Sequence, residues 1–325
     1  MRIAILNYDD AVATCVTGPA EIWSALNNVQ FLLKDEHRRQ SIEIDYVRAD
    51  KSRLWRKSLD TGLEEELAVD EAYQLVIIPA MRYGRIDNVV KRERLLVDWL
   101  KQQHKKKADL ASICIGAFLL AETGLLIGKK ATTNVSFADL FRERHPEVEV
   151  QDDKIIIDQG SIYTCGGAFV FTTFMIYLIE KYFGHQEAVI VSKMLMINTH
   201  QRPQYTFSIF QLQRNHSDEK ILEAQLFIEK NHEHAMSVEN LAGRYYMSNR
   251  NFIRRFEGAT GNTPLQYLQR VRIEAAKKLL ENSNDNIDQI ALKCGYDDIG
   301  FFRKIFKRHV AINPKEYQKK YGKTG

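Results

Sequence analysis

At 325 residues the chain is long enough for two domains with sizeable cores. Its net charge of +4 is unevenly spread: residues 217 to 325 hold 19 Lys/Arg and 14 Asp/Glu, a net +5, against −1 for residues 1 to 216, so the positive charge sits where phosphate would be met. Four scattered cysteines exclude a disulfide framework and a zinc site, no apolar run reaches membrane length, and Arg2 with Asp9 and Asp10 spoils a secretory signal, so a soluble cytoplasmic protein without metal, cofactor or membrane partner is expected.

Residues 2 to 8 form a short apolar run bounded by Asp9-Asp10, as a buried parallel strand requires. Gly18-Pro19-Ala20-Glu21 then predicts a helix running to about Leu33, with proline in its first turn. Ile42 to Val47 and Leu75 to Pro79 read as further strands, and Val89 to His104 as one amphipathic helix closed by Lys105-Lys106-Lys107. The stretch from Leu110 to Cys114 is a strand running into a turn, and an apolar helix leaves from Gly116. Such an elbow exposes its side chain above the sheet and aims backbone N–H groups at it, which would lower the pKa of the Cys114 thiol. Downstream, Phe137 to Arg144 reads as helix, and Val148-Glu149-Val150, Ile155 to Ile157 and Ile162 to Thr164 as a hairpin turning at Asp152-Asp153. Cys165-Gly166-Gly167 leads into a long apolar helix to Phe183, central in the domain or part of a dimer seam, and a helix from Gln186 to Met196 follows. Alternating strands and helices at these lengths predict an α/β sandwich with a mainly parallel sheet over residues 1 to 200. Residues 201 to 216, with Pro203 and many polar side chains, read as a linker.

Gly18-Pro19-Ala20-Glu21, the elbow at Cys114 and the run Ala121 to Thr133 together resemble the class I glutamine amidotransferase-like, PfpI-like domain. That likeness implies a pocket above the elbow, lined by Glu21, Cys114, Ile115, Asn134 and Cys165, with Glu21 matching the acidic residue that leans over the cysteine. It also brings departures. Hydrolytic relatives carry His directly after the elbow cysteine, where this chain has Ile115, and the regulator branch commonly follows Thr-Thr with His-Trp, where this chain has Asn134-Val135. A cysteine hydrolase needs a base within reach of its thiol. No catalytic residue is therefore assigned, and Cys114 is read either as an inherited turn residue or as a ligand contact.

Residues 217 to 325 predict an all-α domain in which one helix-turn-helix pattern is written twice. Phe252 and Phe256 recur as Phe302 and Phe306, Pro264 and Tyr267 as Pro314 and Tyr317, and Leu241-Ala242 as Ile290-Ala291. Spacing of four puts each phenylalanine pair on one inward face. Arg250 and Arg254 of the first copy, with Ile253 on the flank, and Gly300, Arg303 and Lys304 of the second, then face outward. Of these, Arg250, Arg254, Arg303 and Lys304 are candidates for base edges, and Arg255, Lys307 and Arg308 for phosphates. Thr263-Pro264 opens a helix with an apolar stripe through to Asn282 that would hold the copies apart. The segment from Ile221 to Tyr321 resembles the AraC/XylS-type DNA-binding domain, departing from it at Ala311, Asn313 and Gln318.

Joined in this order, the two resemblances imply a transcription regulator of double-stranded DNA, acting as a homodimer and responsive to a small effector, nitrogenous by the family likeness, through a domain that is not an enzyme. A cysteine hydrolase or glyoxalase-like enzyme, or a thiol redox sensor, fused to a DNA-binding domain are the alternatives.

Overall fold

The computed structural model describes residues 1–30, 41–68, 70–198, 216–283 and 285–322, and the chain divides into two compact units, Met1–Gln204 and Tyr205–Gly325. The linker expected over residues 201 to 216 lies, but for its last residue, outside the described residues.

In the first unit, continuous apolar runs make the buried parallel strands β1 (Arg2–Leu6), β5 (Leu75–Ile78), β6 (Asp109–Ile113) and β10 (Ile162–Cys165). They join β2 (Glu43–Asp50), β3 (Arg53–Ser58), β4 (Glu64–Glu66) and β9 (Ile156–Asp158) in one sheet of order β4-β3-β2-β1-β5-β6-β10-β9. The five strands from β2 to β10 are parallel, and the pairings at both edges are antiparallel. One helix layer holds α1 (Ala13–Gln30), α6 (Phe171–Phe183) and α7 (His185–Met194); another holds α2 (Ile86–Arg92), α3 (Arg94–Lys105) and α4 (Ala117–Ala121). The short β7 (Lys130–Ala131) and β8 (Glu149–Val150) pair with each other beside α5 (Ala138–Arg144). The mainly parallel α/β sandwich is thus present.

Four expectations change. Helix α1 starts at Ala13, so Pro19 lies inside it, where its missing N–H leaves the Cys15 carbonyl without the i+4 donor. The segment from Val89 to His104 is two helices broken at Glu93, whose carboxylate is buried against Arg92 at 2.7 Å. The hairpin turns at Gln159-Gly160, where Asp158 accepts from the Gly160 N–H, and Asp152-Asp153 instead follow β8. Strands β3 and β4 are additions: their charged side chains hid the strand pattern, and cross-strand pairs such as Arg53–Glu66 and Arg56–Glu65 tie them.

The second unit is all-α: α8 (Glu219–Lys230), α9 (Val238–Arg244), α10 (Asn249–Thr260), α11 (Pro264–Asn282), α12 (Ile287–Lys293), α13 (Ile299–Val310) and α14 (Pro314–Tyr321). It has two cores, one around Phe252, Phe256 and Tyr267 and one around Phe302, Phe306 and Tyr317, and α11 serves both. The duplication reaches hydrogen bonds. Tyr267 donates to Glu229 at 2.6 Å, and Tyr317 donates to Glu281 at 2.6 Å. Thr263 with Gln266 and Asn313 with Glu316 form matching capping boxes ahead of Pro264 and Pro314.

Candidate functional site

At the elbow, Cys114 has φ +56°, a conformation rare for a residue with a side chain. The fold enforces it. A Cβ on Gly116 would lie 2.4 Å from the Pro79 carbonyl oxygen, so only glycine lets the turn approach the end of β5. The Thr133 hydroxyl donates to the Cys114 carbonyl at 3.0 Å, and Thr164 accepts from the Thr132 N–H at 2.8 Å, which gives the Thr-Thr run an anchoring part.

The side chain is not presented to solvent. Cys114, Ile115 and Cys165 are all 0% exposed, and Cys15 is buried with them. Burial pushes the Cys114 thiol up to about 12, against the opposing pull of the Ile115 backbone and the Asn134 side chain. The expectation of a lowered thiol pKa is thereby corrected: the N–H groups are present, but removal from water outweighs them. Burial raises Cys15 and Cys165 as well.

Glu21 is exposed on the outer side of α1, and the group it acts on is Tyr46 of β2. Close to the elbow instead is the buried Cys15 thiol, near both Cys114 and Cys165, with Tyr83 at the rim. The early start of α1 explains the shift. Reading Pro19 as a first-turn residue placed the wrong part of the helix over the elbow. Of the five residues expected to share a pocket, Cys114, Ile115, Asn134 and Cys165 come together and Glu21 does not.

An open cleft of about 530 Å³ lies elsewhere in this unit, between the start of α1 and strands β2 and β3, and none of those five residues lines it.

In the second unit, the two helix-turn-helix copies match bond for bond. Met247 N–H reaches Ala242 O at 2.9 Å and Tyr296 N–H reaches Ala291 O at 3.0 Å; Ser248 and Asp298 cap α10 and α13. Phe252, Phe256, Phe302 and Phe306 are fully buried, which turns Arg250, Arg254, Gly300, Arg303, Lys304, Lys307 and Arg308 outward and exposed; Ile253 is half-buried. Arg254 is steadied by Asn251 at 3.0 Å, and Arg303 pairs with Asp288 at 3.0 Å on the surface.

Arg255 is engaged within its own unit: its guanidinium grips Asp218 through two bonds of 2.6 and 2.8 Å, tying α10 to the cap of α8. Two features escaped the sequence. Tyr246, at the tip of the first turn, is 94% exposed, and no spacing distinguished it from the buried neighbours of the same aromatic run. Arg272 of α11 donates to the His232 and His234 carbonyls at 2.7 and 2.9 Å and lies over Tyr296, fastening the loop after α8 to the turn of the second copy.

Among the described residues, no group of three or more His, Cys, Asp or Glu side chains is placed to hold a metal ion, and no helix is long and apolar enough to cross a membrane. Residues 19–181 match the model of the DJ-1/PfpI family, and residues 241–320 match that of a helix-turn-helix domain. Two curated relatives, the HTH-type transcriptional regulators CdhR and ArgR of Pseudomonas aeruginosa, are each 27% identical, over 68% and 67% of this chain. The chain spans 66% of the length of each. The solved structure of Drosophila melanogaster DJ-1beta is 18% identical over 61% of this chain and 98% of its own, with a TM-score of 0.44.

Proposed function

Because the chain belongs to the DJ-1/PfpI family and joins to that domain an AraC-type helix-turn-helix domain, we propose that it is a transcription regulator that binds a specific site on double-stranded DNA in the cytoplasm. The observation that carries this reading is the duplicated helix-turn-helix: two turns closed by matching backbone bonds present two outward helix faces that carry arginine or lysine, and α11, ~28 Å long at ~1.5 Å per residue, lies between them. Arg250, Arg254, Arg303 and Lys304 reach base edges in this reading, while Lys307 and Arg308 meet phosphates. Two copies of the chain acting together would double the length of site read.

The amidotransferase-like domain in this reading senses and does not catalyse. A thiol held near 12 by burial is neutral at pH 7, and thiolate chemistry, hydrolytic or redox, requires the charged form. Maleimide labelling of the native chain across pH tests this directly: Cys114 stays unlabelled at neutral pH, and rapid labelling there overturns it.

DNA binding is tested with the full chain and a fragment of residues 217 to 325, by anisotropy against sites selected from a random library. Affinity falls steeply with salt. Arg254→Ala relaxes preference at one position at a cost of ~1 to 3 kcal/mol, whereas Lys307→Ala weakens all sequences alike and lowers the salt slope by ~1. A full chain and a helical fragment that both lack DNA affinity at low salt would sink the reading.

A further inference from the structure

The cleft beside α1 has a chemistry of its own. It opens where β1 ends, at Asn7, and its apolar floor is Ala13, Val16 and Leu59. A second hollow of about 240 Å³ adjoins it and shares Asn7, Tyr46 and Lys57, so these three stand where the two spaces meet. The carboxyl end of a parallel strand is where open α/β sheets commonly hold ligands, and the size lies within the range of small-molecule sites.

Charge bookkeeping on the strands singles out one of the three. Strands β2 and β3 carry four cations. Arg48 is paired with Glu64 and Asp50, Arg53 with Glu66, and Arg56 with Asp45 and Glu65. Lys57 alone of the four forms no ion pair among the described residues; in the sheet register it lies between Tyr46 of β2 and Glu64 of β4, whose carboxylate is paired with Arg48. The Asn7 backbone N–H is spent on Val47 O, while its side-chain amide has no hydrogen-bond partner among the described residues. Tyr46 is half-buried, and burial together with Glu21 holds its phenol protonated as a donor. An ammonium, an amide NH2 and a hydroxyl therefore converge at one end of an apolar trough, and the carboxylate that lines the adjoining hollow, Glu64, is held by Arg48 at 2.9 Å.

We propose that this cleft, and not the elbow, binds the effector, and that the effector is a small monocarboxylate whose carboxylate meets Lys57, Asn7 and Tyr46 while a short aliphatic chain lies on Ala13, Val16 and Leu59. The role as effector site rests on the regulator reading above; the binding itself does not.

The test uses the full chain and isovalerate, with isovaleramide and isoamylamine as its neutral and cationic counterparts, read by isothermal titration and by the Trp55 indole N–H resonance, which lines the adjoining hollow. Isovalerate binds and shifts that resonance, and the amide and the amine bind at least about tenfold more weakly, the loss expected for a charge-assisted bond. Lys57→Gln, at an exposed position that leaves the fold intact, removes the same factor, and Cys114→Ser leaves affinity unchanged. Equal binding of acid and amide overturns the proposal, as does isovalerate affinity untouched by Lys57→Gln or abolished by Cys114→Ser. Absence of isovalerate binding, with a self-association that Lys57→Gln alters in sedimentation, assigns the cleft to a second copy and likewise overturns it. DNA affinity enters none of these titrations, so failure of the regulator reading stays separate; an operator affinity that shifts with isovalerate in the parent and not in Lys57→Gln then joins the two.

Discussion

The two helix-turn-helix copies agree where they are buried and differ where they are exposed. Phe252 and Phe256 sit 5.7 Å apart at 57°, and Phe302 and Phe306 sit 5.7 Å apart at 58°. Facing out, fifty residues separate equivalent positions: Arg250 becomes Gly300, Ile253 becomes Arg303, Arg254 becomes Lys304, Glu257 becomes Lys307 and Gly258 becomes Arg308. The first face carries two cations and one anion at these positions, the second four cations and none. Core residues are constrained by packing against α11 and its neighbours, and outward residues by whatever each helix meets. In the proposed regulator, the second copy would accordingly attract phosphate more strongly in general, and the first would make fewer, more selective contacts.

The turns are the sharpest place to break the likeness. Tyr246 and Gly295 occupy the same position with φ of +56° and +80°, yet Tyr246 projects into solvent while a Cβ on Gly295 would lie 2.6 Å from the Glu233 carbonyl and 2.8 Å from the Arg272 guanidinium. Gly295→Ala therefore costs ~3 kcal/mol, from backbone strain plus overpacking, and Tyr246→Gly stays within ~1 kcal/mol of the parent. Urea unfolding of the helical signal measures both. Equal costs in the two copies would mean that the Arg272 clamp does not confine the second turn.

What the sequence made legible follows the same division. Paired aromatics at a spacing of four and Thr263-Pro264 are local signals, and each fell where expected because the chemistry of a cap or an inward helix face acts within a few residues. The elbow at Cys114 was equally local. Its burial was not, since the side chains that cover it come from residues near 15, 134 and 168, and no spacing along the chain reports that. Glu21 went astray through one boundary, the start of α1. Strands β3 and β4 were passed over because arginines and glutamates that pair across strands look, in sequence, like a solvated loop.

A smaller effect separates Arg255 from its equivalent, the buried Ile305. The first copy ties α10 to α8 by charge, and the second ties α13 inward by packing. The Arg255 guanidinium holds the Asp218 carboxyl below its usual range. A carboxylate depressed on folding contributes stability that is present above its unfolded pKa of about 4 and is lost as pH falls through the folded value. The urea midpoint of the second unit should thus drop on acidification to below about pH 4, and Arg255→Met should flatten that drop while sparing the midpoint in high salt. Identical acid profiles for parent and variant would show that the pair contributes nothing, as many exposed pairs do.

The smallest difference lies at the ends of α10 and α13. Both α10 and α13 stop on a residue with φ +67°, each donating its N–H back one turn, at 2.8 Å to Glu257 O from Gly261 and at 2.8 Å to Lys307 O from Ala311. Glycine occupies the left-handed region at no steric cost, and alanine does not. The second copy therefore holds a strain that the first lacks. Ala311→Gly relieves it, offset by the greater freedom glycine gives the unfolded chain, for a net gain of ~0.5 kcal/mol; Gly261→Ala, with no atom within 4 Å of the new Cβ, loses ~1 kcal/mol from conformation alone. Opposite signs in the two copies are the signature to look for in paired urea titrations. If both substitutions destabilise, packing of the Ala311 methyl outweighs its backbone strain, and the two helix ends differ in more than the residue that closes them.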